Sequence, residues 1–300
     1  QTLSPLAEQE NFDVIHGNAE EAFFSARICR KYNTTCFFTS HAPFIPQGGI
    51  ADALGKPFSF MKRLNTYLLR TAADSAEQII TFSQFSKNLV TDSLGPESEK
   101  KVSVIPPGID SSWIDVNRNP QPKDQLVFWG RMEDEKGIPE LLNAFANVKK
   151  YHPKIQLCLA GEGNGYSTYT QKVRELGLET DIVFQGWLDT LALQRLAAES
   201  RAGIFPSRIE SFGLAPAEAQ AAGLPVICTD AGALPETVQD GINGKVIPTG
   251  NVKKLTDAIL NLLANPAKHE EMARRAREQK QYSWLATADK ILDLYATSKK

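Results

Sequence analysis

Short apolar runs alternate with amphipathic stretches along almost the whole chain. Residues 12–16 predict a strand, 20–32 a helix and 36–39 a second strand. A long Pro/Gly loop follows over 41–56, then a helix over 58–73 and a strand over 78–82. Ser83 is placed to cap a helix over 84–94, and 102–105 reads as a further strand. Residues 106–125 are rich in proline and have no period, as a linker would. Beyond them, strands are predicted at 126–129, 155–160, 182–184, 203–205, 225–228 and 245–247. Helical faces carry Leu141, Leu142, Phe145 and Val148, then Leu255, Ala258, Ile259, Leu262 and Leu263. In the final helix Trp284, Ala288, Ile291, Leu292 and Tyr295 recur at helical spacing and read as core positions.

Strands alternating with helices predict an α/β protein with parallel sheets. The expected layout is two Rossmann-type, doubly wound domains. The first spans 1–115, with the helix over 284–297 packing back on it, and the second spans 116–283. The second block offers six strands. The first offers about four, and its strand 12–16 is apolar on both faces, as a central parallel strand would be. The first domain is therefore expected to be incomplete, its earlier strands absent or supplied by another chain.

Composition narrows the function classes. The chain has 300 residues, 42% of them hydrophobic, and a net charge of −2 without a basic cluster, so no nucleic-acid partner is indicated. No apolar run approaches the ~18 residues that a membrane span requires. Residues 1–11 are polar and lack a signal-peptide pattern, so a cytoplasmic location, or one peripheral at a membrane, is expected. The four cysteines (Cys29, Cys36, Cys158, Cys228) stand isolated in apolar elements, as buried thiols in a reducing compartment do. No spacing suited to a metal site is present, and no cofactor is expected beyond a co-substrate.

Three loops leave predicted strands at their carboxyl ends, where open α/β sheets bind ligands. The first is Gly130-Arg131-Met132-Glu133-Asp134-Glu135-Lys136-Gly137. Arg131 as a fork and Lys136 as a point charge suit a diphosphate, although charged loops are commonly solvated surface. The second, Gly161-Glu162-Gly163-Asn164-Gly165, resembles a dinucleotide fingerprint, but Tyr166 replaces its last glycine. It reads as a turn at the edge of a ligand cleft. The third runs from Glu210 through Phe212, Gly213, Leu214 and Pro216 to Glu218. Pro216 suits a first helical turn, the alanines after it favour helix, and Gly223 ends it. Glu210 then lies in the approach loop, facing the same space as the helix N-terminus, and Glu218 lies in the first turns. Such a place suits a ligand anionic at one end and rich in hydroxyls at the other, as a nucleotide sugar is. Glutamates also gather at helix starts for the dipole alone. His41 closes the strand 36–39 on the rim of a cleft, where a lone histidine is more often structural; His16 is a weaker case. His152 and His269 read as surface.

Taken in order, these segments resemble the retaining glycosyltransferases of family 4, with the two-domain GT-B fold of bacterial glycogen synthases and sucrose-phosphate synthases. The resemblance is carried by Thr39-Ser40-His41, Ile80 to Ser83, Val104 to Asp110, Gly130-Arg131 with Lys136-Gly137, and Leu159 to Gly163. It continues through Val183 to Gly186, Phe205-Pro206-Ser207 with Glu210 to Gly213 and Glu218, Gly223 to Val226, Ala231 to Glu236 and Asp240 to Gly244. Each motif is weak or moderate alone, while their joint order is specific. The resemblance implies transfer of a hexosyl unit from a UDP-, GDP- or ADP-sugar to a hydroxyl of an acceptor sugar, lipid or small molecule, with retained configuration and without a metal. It implies a donor site of Gly130, Arg131, Lys136, Gly161, Glu210, Phe212, Gly213, Leu214 and Glu218. Arg131 and Lys136 would hold the diphosphate, Glu218 the ribose, and Glu210 and His41 the donor sugar. Family members carry a strand and a Gly-rich loop ahead of the segment matched by 12–16. An N-terminal fragment or subunit completing the first domain is accordingly an expected partner. Two alternatives stand beside transfer: a non-catalytic nucleotide-sugar-binding fragment or subunit, and a glycoside phosphorylase on the same fold.

Overall fold

The computed structural model describes residues 12–19, 22–41, 67–68, 70–278 and 282–298. Most of the helix expected over 58–73 and of the loop over 41–56 lies outside them. The chain divides into two compact units, one of residues 1–108 with 284–300 and one of 109–283.

The described sheet of the first unit is parallel and runs in chain order: β1 (Val14–Asn18), β2 (Thr35–Ser40), β3 (Gln78–Thr81) and β4 (Val102–Val104). Helix α1 (Ala22–Tyr32) joins β1 to β2. Helix α2 (Gln84–Leu94) begins at Ser83, whose hydroxyl accepts from Ser86 N at 3.0 Å, as the sequence suggests. Among the described residues β1 stands at an edge of this sheet. Ile15 and Gly17 are buried while Val14 and His16 are half-buried, so one face is covered more fully than the other. Cys29 and Cys36, read as isolated, pack together beside Ile15 because α1 lies on β1 and β2; all four cysteines are buried free thiols.

The second unit contains β5 (Gln125–Trp129), α3 (Ile138–Lys149), β6 (Gln156–Ala160), α4 (Tyr166–Glu175), β7 (Ile182–Gly186), α5 (Thr190–Glu199) and β8 (Ala202–Phe205). It continues with α6 (Leu214–Ala221), β9 (Val226–Thr229), α7 (Leu234–Thr237), β10 (Lys245–Ile247), α8 (Val252–Ala264) and α9 (Pro266–Glu278). Its parallel sheet has the order β10-β9-β8-β5-β6-β7. Every residue of β5 is buried, as a central strand requires, whereas the edge strand β7 alternates. The apolar face of α3 is buried as expected, that of α8 is buried except for the half-buried Leu263, and the two helices meet; each fully buried Leu or Phe contributes about 1.5–3 kcal/mol. Asp189 and Asn251 cap α5 and α8 through their side chains.

The segment expected to be a linker belongs to the second unit from Ile109 onward, several residues earlier than the composition suggests. Hydrogen bonds fix it there. Ile109 N donates to Tyr282 O, Asn119 N to Ala198 O and Lys123 N to Glu199 O. Arg118 donates to the carbonyls of Gly223 and Ser200, and Arg277 to those of Val116 and Ala222. His269, read as surface, is buried in α9.

The chain ends in α10 (Trp284–Ser298), which belongs to the first unit. Trp284, Ala288 and Leu292 are exposed, against expectation, and the buried position is Thr287, whose hydroxyl donates to Pro106 O. The helix turns the Thr287 and Tyr295 side inward, and Tyr295 meets Phe37 at 4.7 Å between ring centres. Among the described residues no helix is long and apolar enough to cross a membrane, and none forms a cluster of three metal-binding side chains.

Candidate functional site

The second sheet reverses its winding between β5 and β8. From β5 the chain proceeds outward through β6 and β7, and from β8 the other way through β9 and β10. Such a reversal is where doubly wound folds bind ligands, outside the carboxyl ends of the strands. The β5–β8 ladder consists of Leu126↔Ala202 and Val127↔Gly203. Past it, Phe128 and Trp129 pair with β6, and Phe205 with β9. The strands thus part toward their carboxyl ends, with Trp129 set edge-on against Phe205 at 4.9 Å.

The loops on either side of this opening carry the residues singled out from sequence. Gly137 ends the loop after β5 and begins α3 with φ +67°. A Cβ there would lie 1.9 Å from Pro206 O, so only glycine allows this backbone to touch the loop after β8. The contact sets Lys136 beside Glu210. Lys136 Nζ donates to Glu210 Oε1 at 2.6 Å, and Ser207 Oγ donates to the same oxygen at 3.0 Å. Thr229 Oγ1 in turn donates to the Ser207 carbonyl, fixing the loop to β9.

Arg131 does not join this pair. It binds Glu135, four residues on, and its side chain is 69% exposed. The expected convergence of both cations is thus absent: each is held by its own carboxylate. The exposed Arg131 pair is worth at most about 1 kcal/mol, so the guanidinium is readily released to an anion. Gly130 follows β5 directly, and its backbone N donates to Ala160 O. Gly161 packs against it so closely that a Cβ would lie 1.8 Å from Gly130 O. The glycines of the second loop therefore serve close loop packing. Gly163 and Gly165 likewise lie against the Met132 carbonyl, and α4 starts at Tyr166 without a fingerprint glycine.

Helix α6 starts from Gly213, with no side chain capping it. Its first N–H groups have no partner within the helix and carry the positive end of its dipole. Leu214 is the first helical residue, and Pro216 falls in the first turn as expected. Bonds from Gly223 N to Gln220 O and from Leu224 N to Ala219 O close the far end. The Phe212 ring is buried against Tyr282 and its carbonyl accepts from Thr237 Oγ1, leaving its backbone N–H as the group suited to a ligand. Glu218 accepts from Trp129 Nε1 at 2.9 Å. Burial pushes its pKa up, and the indole bond partly opposes that.

In the first unit His41 follows β2, is exposed, and has Nε2 3.1 Å from Asn18 Oδ1 with its ring edge-on to Phe82. His16 is structural. Its Nδ1 bonds the Tyr295 hydroxyl and its Nε2 bonds Thr39 Oγ1 at 2.6 Å. Burial, and then the charge of His41, lower its pKa.

Sequence reasoning missed Ser207 and Trp129. Ser207 lies three residues before Glu210, close enough to have been tested as its partner. Trp129 was visible only as the last apolar residue of a strand, and nothing local indicates that its N–H meets a residue 89 positions away.

A model of the family described as Glycosyl transferases group 1 matches residues 110–279, and one of Glycosyltransferase Family 4 matches residues 1–113. The chain is 30% identical over 298 residues to the glycogen synthase of Mycobacterium tuberculosis, an alignment covering 96% of this chain and 69% of that protein. Sucrose-phosphate synthase from Thermosynechococcus elongatus has a similar structure, with a TM-score of 0.85 at 22% identity over 98% of this chain and 76% of that one. Anabaena HepE, solved in complex with UDP, gives a TM-score of 0.83 at 21% identity over 98% and 81%. With its two Rossmann-like halves, the chain has the GT-B fold and belongs to the group 1, family 4 glycosyltransferases.

Proposed function

We propose that this glycosyltransferase takes a hexosyl unit from a nucleoside diphosphate sugar and passes it, with retained configuration and without a metal, to an acceptor hydroxyl. One observation carries the reading: Lys136 and Glu210 meet at 2.6 Å where the sheet reverses, beside the uncapped start of α6. A leaving diphosphate needs stabilisation of developing negative charge. Lys136 and the N–H groups of α6 supply that from fixed positions, and a released Arg131 can swing in to add a second cation. Glu210 is assigned to the hydroxyls of the donor sugar and Glu218 to those of the ribose by family resemblance. In the step, the bond from the anomeric carbon to the phosphate oxygen breaks as the acceptor oxygen bonds that carbon from the same face. The acceptor proton passes to the departing phosphate. His41 is assigned to donor-sugar contact by family resemblance, and His41→Ala tests it through kcat.

HepE has been solved with UDP and with UDP-glucose, which makes UDP-glucose the first donor to try. Thermal stabilisation by a panel of UDP-, GDP- and ADP-sugars reads the donor, because a ligand at a hundred times its Kd adds about 2.7 kcal/mol. Stabilisation by one nucleotide family, followed by transfer that persists in EDTA and gives a retained anomer by NMR, is the expected result. Binding without transfer or donor hydrolysis favours a non-catalytic binder. Sugar 1-phosphate formed from a disaccharide and phosphate favours a phosphorylase. No stabilisation by any of the panel overturns the donor site.

A further inference from the structure

We infer that Trp129 is a positioning residue, setting the carboxylate of Glu218 for the ribose; this rests on the reading of Glu218 given above. The indole N–H can only donate, and it holds Glu218 Oε2 at 2.9 Å. That leaves Oε1 to accept from a sugar hydroxyl. Glu218 is half-buried and desolvation disfavours its charge, so the one fixed donor sets its orientation and partly offsets that desolvation.

Trp129 is itself immobilised from three sides. Its backbone pairs with Ala160 in the β5–β6 ladder. Its ring stacks on Trp113 at 5.7 Å and an interplanar angle of 9°, and meets Phe205 edge-on at 4.9 Å. Trp113, in the short turn Ser111–Trp113, is buried. The stack thus fixes the Trp129 indole, and its N–H is spent on the carboxylate of α6. Supporting bonds of this kind orient the groups that touch a ligand. Phenylalanine would keep an aromatic ring at this position but not the N–H.

The test is calorimetry with UDP and 2′-deoxy-UDP. Wild type should prefer UDP. Trp129→Phe should bind UDP about tenfold more weakly, the loss expected for a hydrogen bond to a charged group. The preference for UDP over its deoxy form should fall by a similar factor. In a Glu218→Gln background the same change should cost less, since both act through one contact. A folded Trp129→Phe variant whose ribose preference is unchanged overturns the inference and leaves Trp129 as core packing. A wild type that binds UDP but does not prefer ribose removes the reading of Glu218, and the inference with it. Should Trp129→Phe fail to fold, Trp113→Phe loosens the stack while keeping the N–H. A smaller fall in the same ratio supports the proposal, and no change overturns it.

Discussion

Lys136 and Glu210 hold each other at 2.6 Å across the reversal of the second sheet, each with 16% of its side chain exposed. One residue expected to hold the diphosphate and one expected to meet the donor sugar therefore form a single ion pair. A diphosphate arriving at Lys136 competes with Glu210 for the same ammonium. The pair keeps both charges compensated within a partly buried place, where a lone charge would be costly.

Replacing its two members should accordingly have opposite effects on product affinity. Lys136→Ala leaves the Glu210 carboxylate with Ser207, costs about 1–2 kcal/mol of stability, and should lower kcat by about 10²–10³. Glu210→Gln keeps the shape and frees Lys136 from a competing carboxylate. UDP should then bind a few-fold more tightly although turnover falls. Calorimetry with UDP beside steady-state kinetics reads both. Equal losses of UDP affinity in the two variants would show that Lys136 does not serve the phosphates.

Glu218 gives a prediction about pH. Burial raises its folded pKa above the ordinary carboxylate value. The native state therefore holds its proton more tightly than the unfolded chain does. That contribution to stability is present below the ordinary pKa of about 4.3 and is lost as pH rises through the folded pKa. Above that range the ionised Glu218 burdens the fold. Glu218→Gln removes the charge and keeps an oxygen for the Trp129 N–H. Its melting temperature should exceed that of wild type at pH 7–8, with the difference vanishing toward pH 4. UDP affinity should drop despite the gain in stability. A variant less stable than wild type at pH 8 would count against this account.

The sequence showed the architecture of the second unit because period and burial agree there. The wholly buried β5 reads as a continuous apolar run, and α3 presents Leu141, Leu142, Phe145 and Val148 at helical spacing. The end of α6 was equally legible, since Gly223 closes it by local bonds. What failed was long-range. Apolar spacing in α10 suggested a buried Trp284 and Leu292, yet which side faces inward is set by distant Pro106 and Phe37. Likewise Lys136 and Glu210 were both found as site residues, but not as partners. Their pairing depends on the contact of Gly137 with Pro206, which no local pattern encodes.

That contact is open to direct trial. Gly137→Ala puts a methyl group into Pro206 O and holds an alanine at φ +67°. Neither backbone segment can yield without shifting Lys136 from Glu210. The expected loss is about 2–4 kcal/mol, or roughly 5–10 °C in melting temperature. Gly177→Ala is the control, with φ +65° and nothing within 4 Å of the added carbon. It should cost only about 1 kcal/mol. Equal losses in the two variants would mean that backbone conformation, not the loop contact, sets the requirement.

In the first unit, His16 should make the fold sensitive to acid. Its ring bonds Tyr295 of α10 and Thr39 of β2, tying the last helix to the sheet. Burial and then the charge of His41 lower its pKa, so the native state favours the neutral ring. The unfolded chain takes up the proton first, near the ordinary value of about 6.5. Stability from this residue is thus complete above that value and is lost as pH falls through the lowered folded pKa. Melting curves of wild type should be flat from pH 8 to 7 and decline as pH falls below about 6.5. His16→Gln, which keeps a donor and an acceptor but cannot titrate, should start lower at pH 7.5 and decline less. His41→Ala removes the neighbouring charge while leaving both His16 bonds, so its decline should persist but be shallower. Parallel curves for wild type and His16→Gln would place the acid sensitivity elsewhere in the chain.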